Sequence, residues 1–234
     1  MIKALATMIA LLATVGNAVA QEVTLSANAK EIYLGANGAV FYDGFVPETD
    51  VFISWKNGVY ADIWTSTALN FRRDFDKEVD VTVGKAGKFH GFDYAVDGSY
   101  FIIVITDVIT TSIELSRSVE INPRLTLAPY IRAEAYGPVR KGGPPRGIMG
   151  IAGLRGSVTI VPRLSISYRG LLKKDTGCFG FDSAVMGQGY VGIPIRLTSR
   201  LNITPGVSFS APISRVRDGR KQEAVWEIGF SRRF

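Results

Sequence analysis

One cysteine, Cys178, and one histidine, His90, are all that 234 residues offer of the two side chains most used for stapling, metal binding and proton transfer. A lone thiol closes no intrachain disulfide, so the fold must stand on packing and hydrogen bonds. With so few Cys and His there is no cluster at metal-ligand spacing, and no glycine-rich loop leads from a strand into a helix pattern. No metal, cofactor or nucleotide site is therefore expected. Nucleophilic catalysis lacks a base for the same reason: only His90 could serve, and it falls beside a tight turn, where a surface side chain is the plainer reading. No catalytic residue is assigned. Past residue 20 no apolar run approaches the roughly 20 residues of a spanning helix, which excludes helical membrane spans.

What is present begins with residues 1–20, MIKALATMIALLATVGNAVA. One early cation, Lys3, precedes an apolar stretch from Ala4 to Val15, and the small-residue ending Ala18, Val19, Ala20 precedes Gln21. That is the pattern of a cleaved secretory signal peptide. Gly16 and Asn17 interrupt the apolar core, and Gln21 in place of cysteine after the cut argues against lipid attachment. The formal net charge is +6. A basic balance often means nucleic acid, but an exported chain does not meet it, so no nucleic-acid partner is expected. Residues 21–234 contain nothing resembling a linker and read as one domain.

Turn signals organise that domain. Tight ones fall at Asn57-Gly58, Lys85-Ala86-Gly87-Lys88, Asn122-Pro123-Arg124, Pro162-Arg163 and Thr198-Ser199-Arg200. Between them lie longer polar or Gly/Pro-rich segments: Gly35 to Thr49, Asn70 to Asp76, a short one near Thr106 to Thr110, Tyr136 to Gly147, Lys173 to Ser183, and Ser214 to Gln222. Short and long connections alternate. This predicts an all-β transmembrane antiparallel up-and-down barrel of about 12 strands, with 10 or 8 as alternatives, and with the short turns on the periplasmic side.

The segments between turns alternate apolar and polar, as a barrel wall between lipid and water requires. Leu201, Ile203, Pro205, Val207, Phe209 and Ala211 alternate with Asn202, Thr204, Gly206, Ser208 and Ser210. Pro129, Pro205 and Pro212 stand against this, since proline donates nothing to a ladder. The last stretch, EAVWEIGFSRRF, sets Trp226, Ile228, Phe230 and Phe234 on one row. A terminal aromatic on such a strand resembles the C-terminal insertion signal of bacterial outer-membrane barrels, which implies that the barrel-insertion machinery reads these four residues. The predicted location is the bacterial outer membrane.

A finer resemblance lies in NGVYADIWTSTALN and DKEVDVTVGKAGKFHGFDYAVDGSYFIIV. Gly58, Tyr60, Trp64 and Ser66, then Asp80 and Gly84, then Gly91 and Tyr94, resemble the TorF-type porin family. The resemblance covers about a fifth of the chain and implies a small outer-membrane channel with no catalytic residues. A weaker similarity, through strand number and basic loops, is to small twelve-stranded channels for acidic oligosaccharides.

Assigning faces by alternation makes Asp62, Asp80, Asp93, Asp97 and Glu114 lumen-lining on strands three to six, with no inward Lys or Arg there. Arg132, Arg155, Arg169 and Arg196 are lumen-lining on strands seven to ten, with Glu134 the exception. An acidic wall would then face a basic wall, and the transverse field would favour small polar or charged solutes. The loops are basic too, at Arg140, Lys141 and Arg146, at Lys173 and Lys174, and at Arg215, Arg217, Arg220 and Lys221. There they would meet outer-membrane lipid and lipopolysaccharide phosphates or draw in anionic solutes. The sequence thus points to a porin-like diffusion channel; the alternative is a non-conducting structural or adhesive barrel with basic surface loops.

Deleting Phe234, or replacing it with Asp, is expected to lower the amount of folded barrel in the membrane and raise periplasmic degradation. Heat-modifiable gel migration and membrane fractionation measure this, and unchanged membrane levels would show that the terminus is not read.

Overall fold

A computed structural model describes residues 22–67, 77–103 and 107–234. The predicted signal segment 1–20 and the loop expected from Asn70 to Asp76 lie outside the described residues, as does Thr106 in the short loop after it. Twelve antiparallel strands close on themselves: β1 (Glu22–Leu34), β2 (Val40–Ser54), β3 (Val59–Thr67), β4 (Lys77–Phe89), β5 (Phe92–Ile103), β6 (Asp107–Ser116, resuming as Val119–Asn122), β7 (Leu125–Pro138), β8 (Gly147–Val161), β9 (Leu164–Asp175), β10 (Val185–Gly192, resuming as Ile195–Arg196), β11 (Leu201–Pro212) and β12 (Glu223–Arg233). Each pairs with its sequence neighbours. β12 returns to β1, from Thr24↔Arg233 to Lys30↔Glu227. Closure removes the edge whose unpaired N–H and C=O groups could not be satisfied in hydrocarbon. The expected strand number of twelve is borne out, and ten and eight are set aside.

The two interruptions have one cause. In β6 and β7, Arg117 and Pro129 form a pair in which the Arg117 N–H donates to the Pro129 carbonyl at 3.1 Å. The return bond is missing because proline has no N–H. β10 and β11 repeat this, with the Ile193 N–H donating to the Pro205 carbonyl at 2.9 Å. The sequence objection to these prolines is therefore answered locally: each deletes one ladder bond, the strand continues, and Pro212 sits at the last position of β11.

The wall is inverted relative to a soluble protein. Outward positions carry exposed apolar side chains such as Ile63, Val96, Ile113, Ile131, Leu154 and Val191, while Glu48, Ser66, Glu78, Ser99 and Ser112 are buried. Trp226, Ile228, Phe230 and Phe234 all belong to the exposed apolar set, with Trp226 68% and Phe234 53% exposed. An apolar band around a polar interior suits lipid outside and water inside.

Several expected boundaries need correction, among them Asp107 to Thr110, expected in a short loop but already laddered in β6. Lys85 to Lys88 is not a turn; it continues β4, which stays in register with β5 to Phe89↔Phe92, and the chain reverses at His90-Gly91. Both turn residues are left-handed, His90 at φ 48 and Gly91 at φ 82, as a two-residue hairpin requires. Gly87, which suggested a turn, instead leaves room for Tyr94: a Cβ there would stand 2.6 Å from the Tyr94 hydroxyl oxygen. Likewise the segment from Gly35 is a loop only to Ala39, after which Val40 opens β2. The glycines and tyrosines of the motif around residues 58–94 are thus largely wall joints. Gly84 lies beneath the Tyr60 ring, and Gly58, at φ 82, closes the β2–β3 turn against the Ala86 carbonyl.

Gly87→Ala is expected to destabilise the barrel by about 1–3 kcal/mol through overpacking against Tyr94, and most of that cost should vanish in a Tyr94→Ala background. Denaturant unfolding of the refolded barrel in micelles measures both; additive effects would remove Tyr94 as the cause.

Candidate functional site

The cross-strand register puts the charged residues into one continuous field. Asp62 stands opposite Thr82, Asp80 opposite Trp64, and Asp93 opposite Ser116. Asp97 stands opposite Ser112, Glu114 opposite Arg132, and Arg155 opposite Arg169. Arg196 stands opposite Asn202. Two ion pairs identify this face as the concave one, because each skips a strand: Arg132 on β7 reaches Asp97 on β5 at 3.4 Å, and Arg155 on β8 reaches Glu114 on β6 at 2.7 Å.

Asp97 is the hub. It is 7% exposed and accepts from the Ser112 hydroxyl at 2.6 Å, the Tyr60 hydroxyl at 3.0 Å and both terminal nitrogens of Arg132 at 3.4 Å. Arg132 also donates to Glu134 at 2.5 Å and lies 3.9 Å from Glu114. Arg155 stacks over the Tyr130 ring at 4.9 Å. The acidic and basic sectors therefore interlock where β5 and β6 meet β7 and β8.

Three features of this field were not read from sequence. Lys88 shares the inner face with Asp93 and pairs with it at 2.6 Å, so the β3–β6 sector does contain a cation. It was missed because a turn was expected at that point. Glu48 and Asp50 extend the acidic sector onto β2; they fell in or beside the segment taken as loop. Lys30 on β1 meets Glu48 at 2.9 Å and Glu227 at 3.8 Å. Above this level the acidic sector is packed with rings: Tyr33 and Tyr42 are buried with Val46, Trp64 lies against them, and the Tyr33 hydroxyl donates to Glu78. The Oδ1 atoms of Asp50, Asp62 and Asp80 are buried and face no protein donor among the described residues.

Open space lies on the other side. Two adjoining cavities, of about 200 and 490 Å³, share Lys30, Arg169, Ser208 and Glu227. The first also reaches Lys173 and Gln188, and the second Arg155, Ser167 and Tyr190. Arg169 is exposed into this space and makes no ion pair among the described residues. Arg196 is not brought to the same place. It lines a separate crevice of about 220 Å³ with Arg163 at the short-turn end.

The long-loop end is covered. Residues Thr176 to Ala184 turn inward through a short 3₁₀ turn at Cys178–Gly180, where Phe179 is left-handed at φ 59. Cys178 is fully buried in a cluster with Val108, Tyr136, Met149 and Ile151, and Phe179 meets Tyr136 edge-on at 5.0 Å. Burial, followed by the nearby Asp175 charge, pushes the Cys178 thiol up to about 11, so it stays protonated at neutral pH. Arg220, expected as a solvated loop cation, is buried instead, with its side chain 1% exposed. It bonds Asp175 at 3.1 Å, Asp218 at 2.7 Å, the Asn37 carbonyl at 3.2 Å and the Asp182 carbonyl. Burial opposes ionisation of Asp218, but Arg220 and two backbone N–H groups outweigh it and hold its carboxyl below the usual aspartate value. Lys173 and Lys174 likewise belong to β9, and Lys173 donates to the Ala36 carbonyl at 2.8 Å. Arg140 pairs with Asp107 at 3.4 Å and Lys221 with Glu223 at 3.3 Å.

No protein-family model matches the chain, and no curated protein sequence matches it. Solved structures do. A KdgM porin superposes with a TM-score of 0.60 at 12% identity, over 90% of this chain and 99% of that one. A KdgM porin in complex with disordered oligogalacturonate gives 0.58 at 11%, over 91% and 99%. The NanC porin gives 0.59 at 13%, over 89% and 98%. The fold is that of outer-membrane porins.

Asp97→Asn is expected to destabilise the refolded barrel by about 1.5–3 kcal/mol, the range for a lost bond to a charged group. Asp93→Asn, whose partner Lys88 is 82% exposed, should cost under about 1 kcal/mol. Denaturant unfolding in micelles gives the order, and its reversal would displace Asp97 as the hub.

Proposed function

We propose that the barrel is a passive diffusion channel for small polar and charged solutes and that its open tract favours anions. The observation that carries this reading is Arg169, exposed in the joined cavities and in no ion pair among the described residues, with Lys30, Arg155 and Lys173 around the same space and Glu227 as its one carboxylate. Asp50, Asp62 and Asp80 on β2–β4 carry oxygens that face no donor among the described residues, but none of the three lines the joined cavities, where basic side chains outnumber the single carboxylate, Glu227. In a narrow, low-dielectric passage such a basic excess concentrates anions and raises their entry rate.

The nine lumen-lining residues divide accordingly. Asp97 and Glu114 set the positions of Arg132 and Arg155; Arg169 meets the solute; Asp62, Asp80 and Asp93 belong to the acidic sector; and Arg196 guards the short-turn mouth. Structural likeness to KdgM, a porin seen with oligogalacturonate, supports an anionic solute class. The motif resemblance to TorF-type porins supports the channel reading more generally. The remaining assignments follow the same picture: residues 1–20 are a cleaved signal peptide, the wall meets outer-membrane lipid and lipopolysaccharide, and Trp226, Ile228, Phe230 and Phe234 are read by the barrel-insertion machinery. The ring-packed interior near the long-loop end favours a second reading, a non-conducting structural or adhesive barrel.

The mature barrel in planar bilayers separates the two. Under a salt gradient, Arg169→Ser should move the reversal potential toward cation selectivity, and Ser at Arg132, Arg155 and Arg169 together should move it further. Asn at Asp62, Asp80 and Asp93 should move it the other way, and all shifts should shrink as salt shortens the screening length to about 3 Å at 1 M. Conduction with unchanged selectivity would sink the Arg169 assignment, and silence of every form would favour the structural barrel.

A further inference from the structure

Three long-loop segments meet at one buried guanidinium. Arg220, in the β11–β12 loop, donates to Asp175 at the end of β9, to the Asn37 carbonyl in the β1–β2 loop and to the Asp182 carbonyl in the β9–β10 loop, while Asp218 holds it from its own loop. Asp182 reinforces the join: its N–H donates to Asp218 at 2.8 Å, and its carboxylate accepts from the Arg217 N–H at 2.7 Å. The Arg220 guanidinium also lies 5.6 Å from the centre of the Phe181 ring, and Phe181 stacks on Phe41 at 6.1 Å. A surface arginine needs none of this. Burying one requires a full set of acceptors, and here they come from segments that no ladder bond connects.

These segments lie over the outer end of the open tract. Gly35 and Ala36 roof the cavity that contains Arg169 and Lys173, and Cys178 and Phe179 fill the adjacent part of the interior. The loops are joined to one another by this side-chain network and the Phe181–Phe41 stack rather than by a backbone ladder, whereas the strands beneath are laddered. Such a region can open without loss of the barrel.

We infer that the β1–β2, β9–β10 and β11–β12 loops form a latched lid over the outer mouth, and that Arg220 is the positioning residue whose bonds to Asp175, Asn37 and Asp182 keep it shut. The inference rests on the channel reading and deepens it. The tract lined by Arg169 would be reached from outside only while the latch is open, so the lid sets the largest solute admitted. Arg220 touches no solute; it acts through the loops it joins. Lysine could not replace it, because a single ammonium cannot present the fork of donors that these acceptors use.

Gly147 offers an independent handle. A Cβ built there would lie 2.6 Å from the Cys178 sulfur and 3.1 Å from its Cα, so any side chain at this position must displace the β9–β10 loop. Single-channel recording of three refolded full-length mature proteins tests the inference. The native protein should alternate between a low and a higher conductance level. Arg220→Ala should spend several-fold more time in the higher level and admit larger sugars in liposome swelling, with heat-modifiable migration unchanged. Gly147→Ala, which leaves Arg220 intact, should displace the β9–β10 loop and likewise spend more time in the higher level. If Arg220→Ala fails to fold, the Gly147→Ala arm still decides. A native protein that conducts, with neither change altering its levels, would overturn the lid and leave the channel reading standing. Silence of every form, including Gly147→Ala, would overturn both.

Discussion

Everything in this molecule depends on one requirement: a backbone in hydrocarbon must satisfy its own hydrogen bonds. The closing ladder between β1 and β12 meets it, with seven registered pairs from Thr24↔Arg233 to Lys30↔Glu227. Where that ladder ends, the requirement is still visible. Glu31 is bulged out of the β1–β2 register, and its carboxylate accepts the Trp226 N–H at 3.1 Å, a bond that the ladder no longer supplies. The two proline pairs show the same economy. A single lost donor at Pro129 or Pro205 interrupts the strand pattern for two residues and no more, because the reciprocal bond is retained.

Closure fixes the faces, and the faces fix the electrostatics. Once the wall is a cylinder, a side chain on the inner face can reach past its neighbouring strand, as Arg132 does to Asp97 and Arg155 to Glu114. Opposite charges that look segregated along the chain are therefore neutralised along their shared border. Asp50, Asp62 and Asp80 on one side and Arg169 on the other take no part in those pairs. Glu78 on β4 accepts from Tyr33, whose ring is clustered with Tyr42 and Trp64. The two cavities described above lie along the basic side.

The loops follow a different logic from the wall. Strand positions are set by a period of two, which a sequence displays openly, but a loop's conformation depends on partners far away in the chain. In sequence Arg220 is one more loop cation among Arg215, Arg217 and Lys221. Its acceptors, Asn37 and Asp175, lie 183 and 45 residues away. Cys178, in a polar stretch between β9 and β10, is likewise fully buried, against Gly147 and Met149.

By itself the sequence determined the class of fold, the number of strands, most turn positions and the outer face, because alternation and turn chemistry are local and a wall with lipid outside and water inside tolerates no other pattern. Where a turn was misplaced, at Lys85 to Lys88 and from Val40 onward, Lys88, Glu48 and Asp50 went unread with it. Only the tertiary structure decided which charges cancel, which space stays open and how the loops close over it. Those depend on which strands curve toward one another and on contacts between segments that are distant in the chain, and no local pattern encodes either.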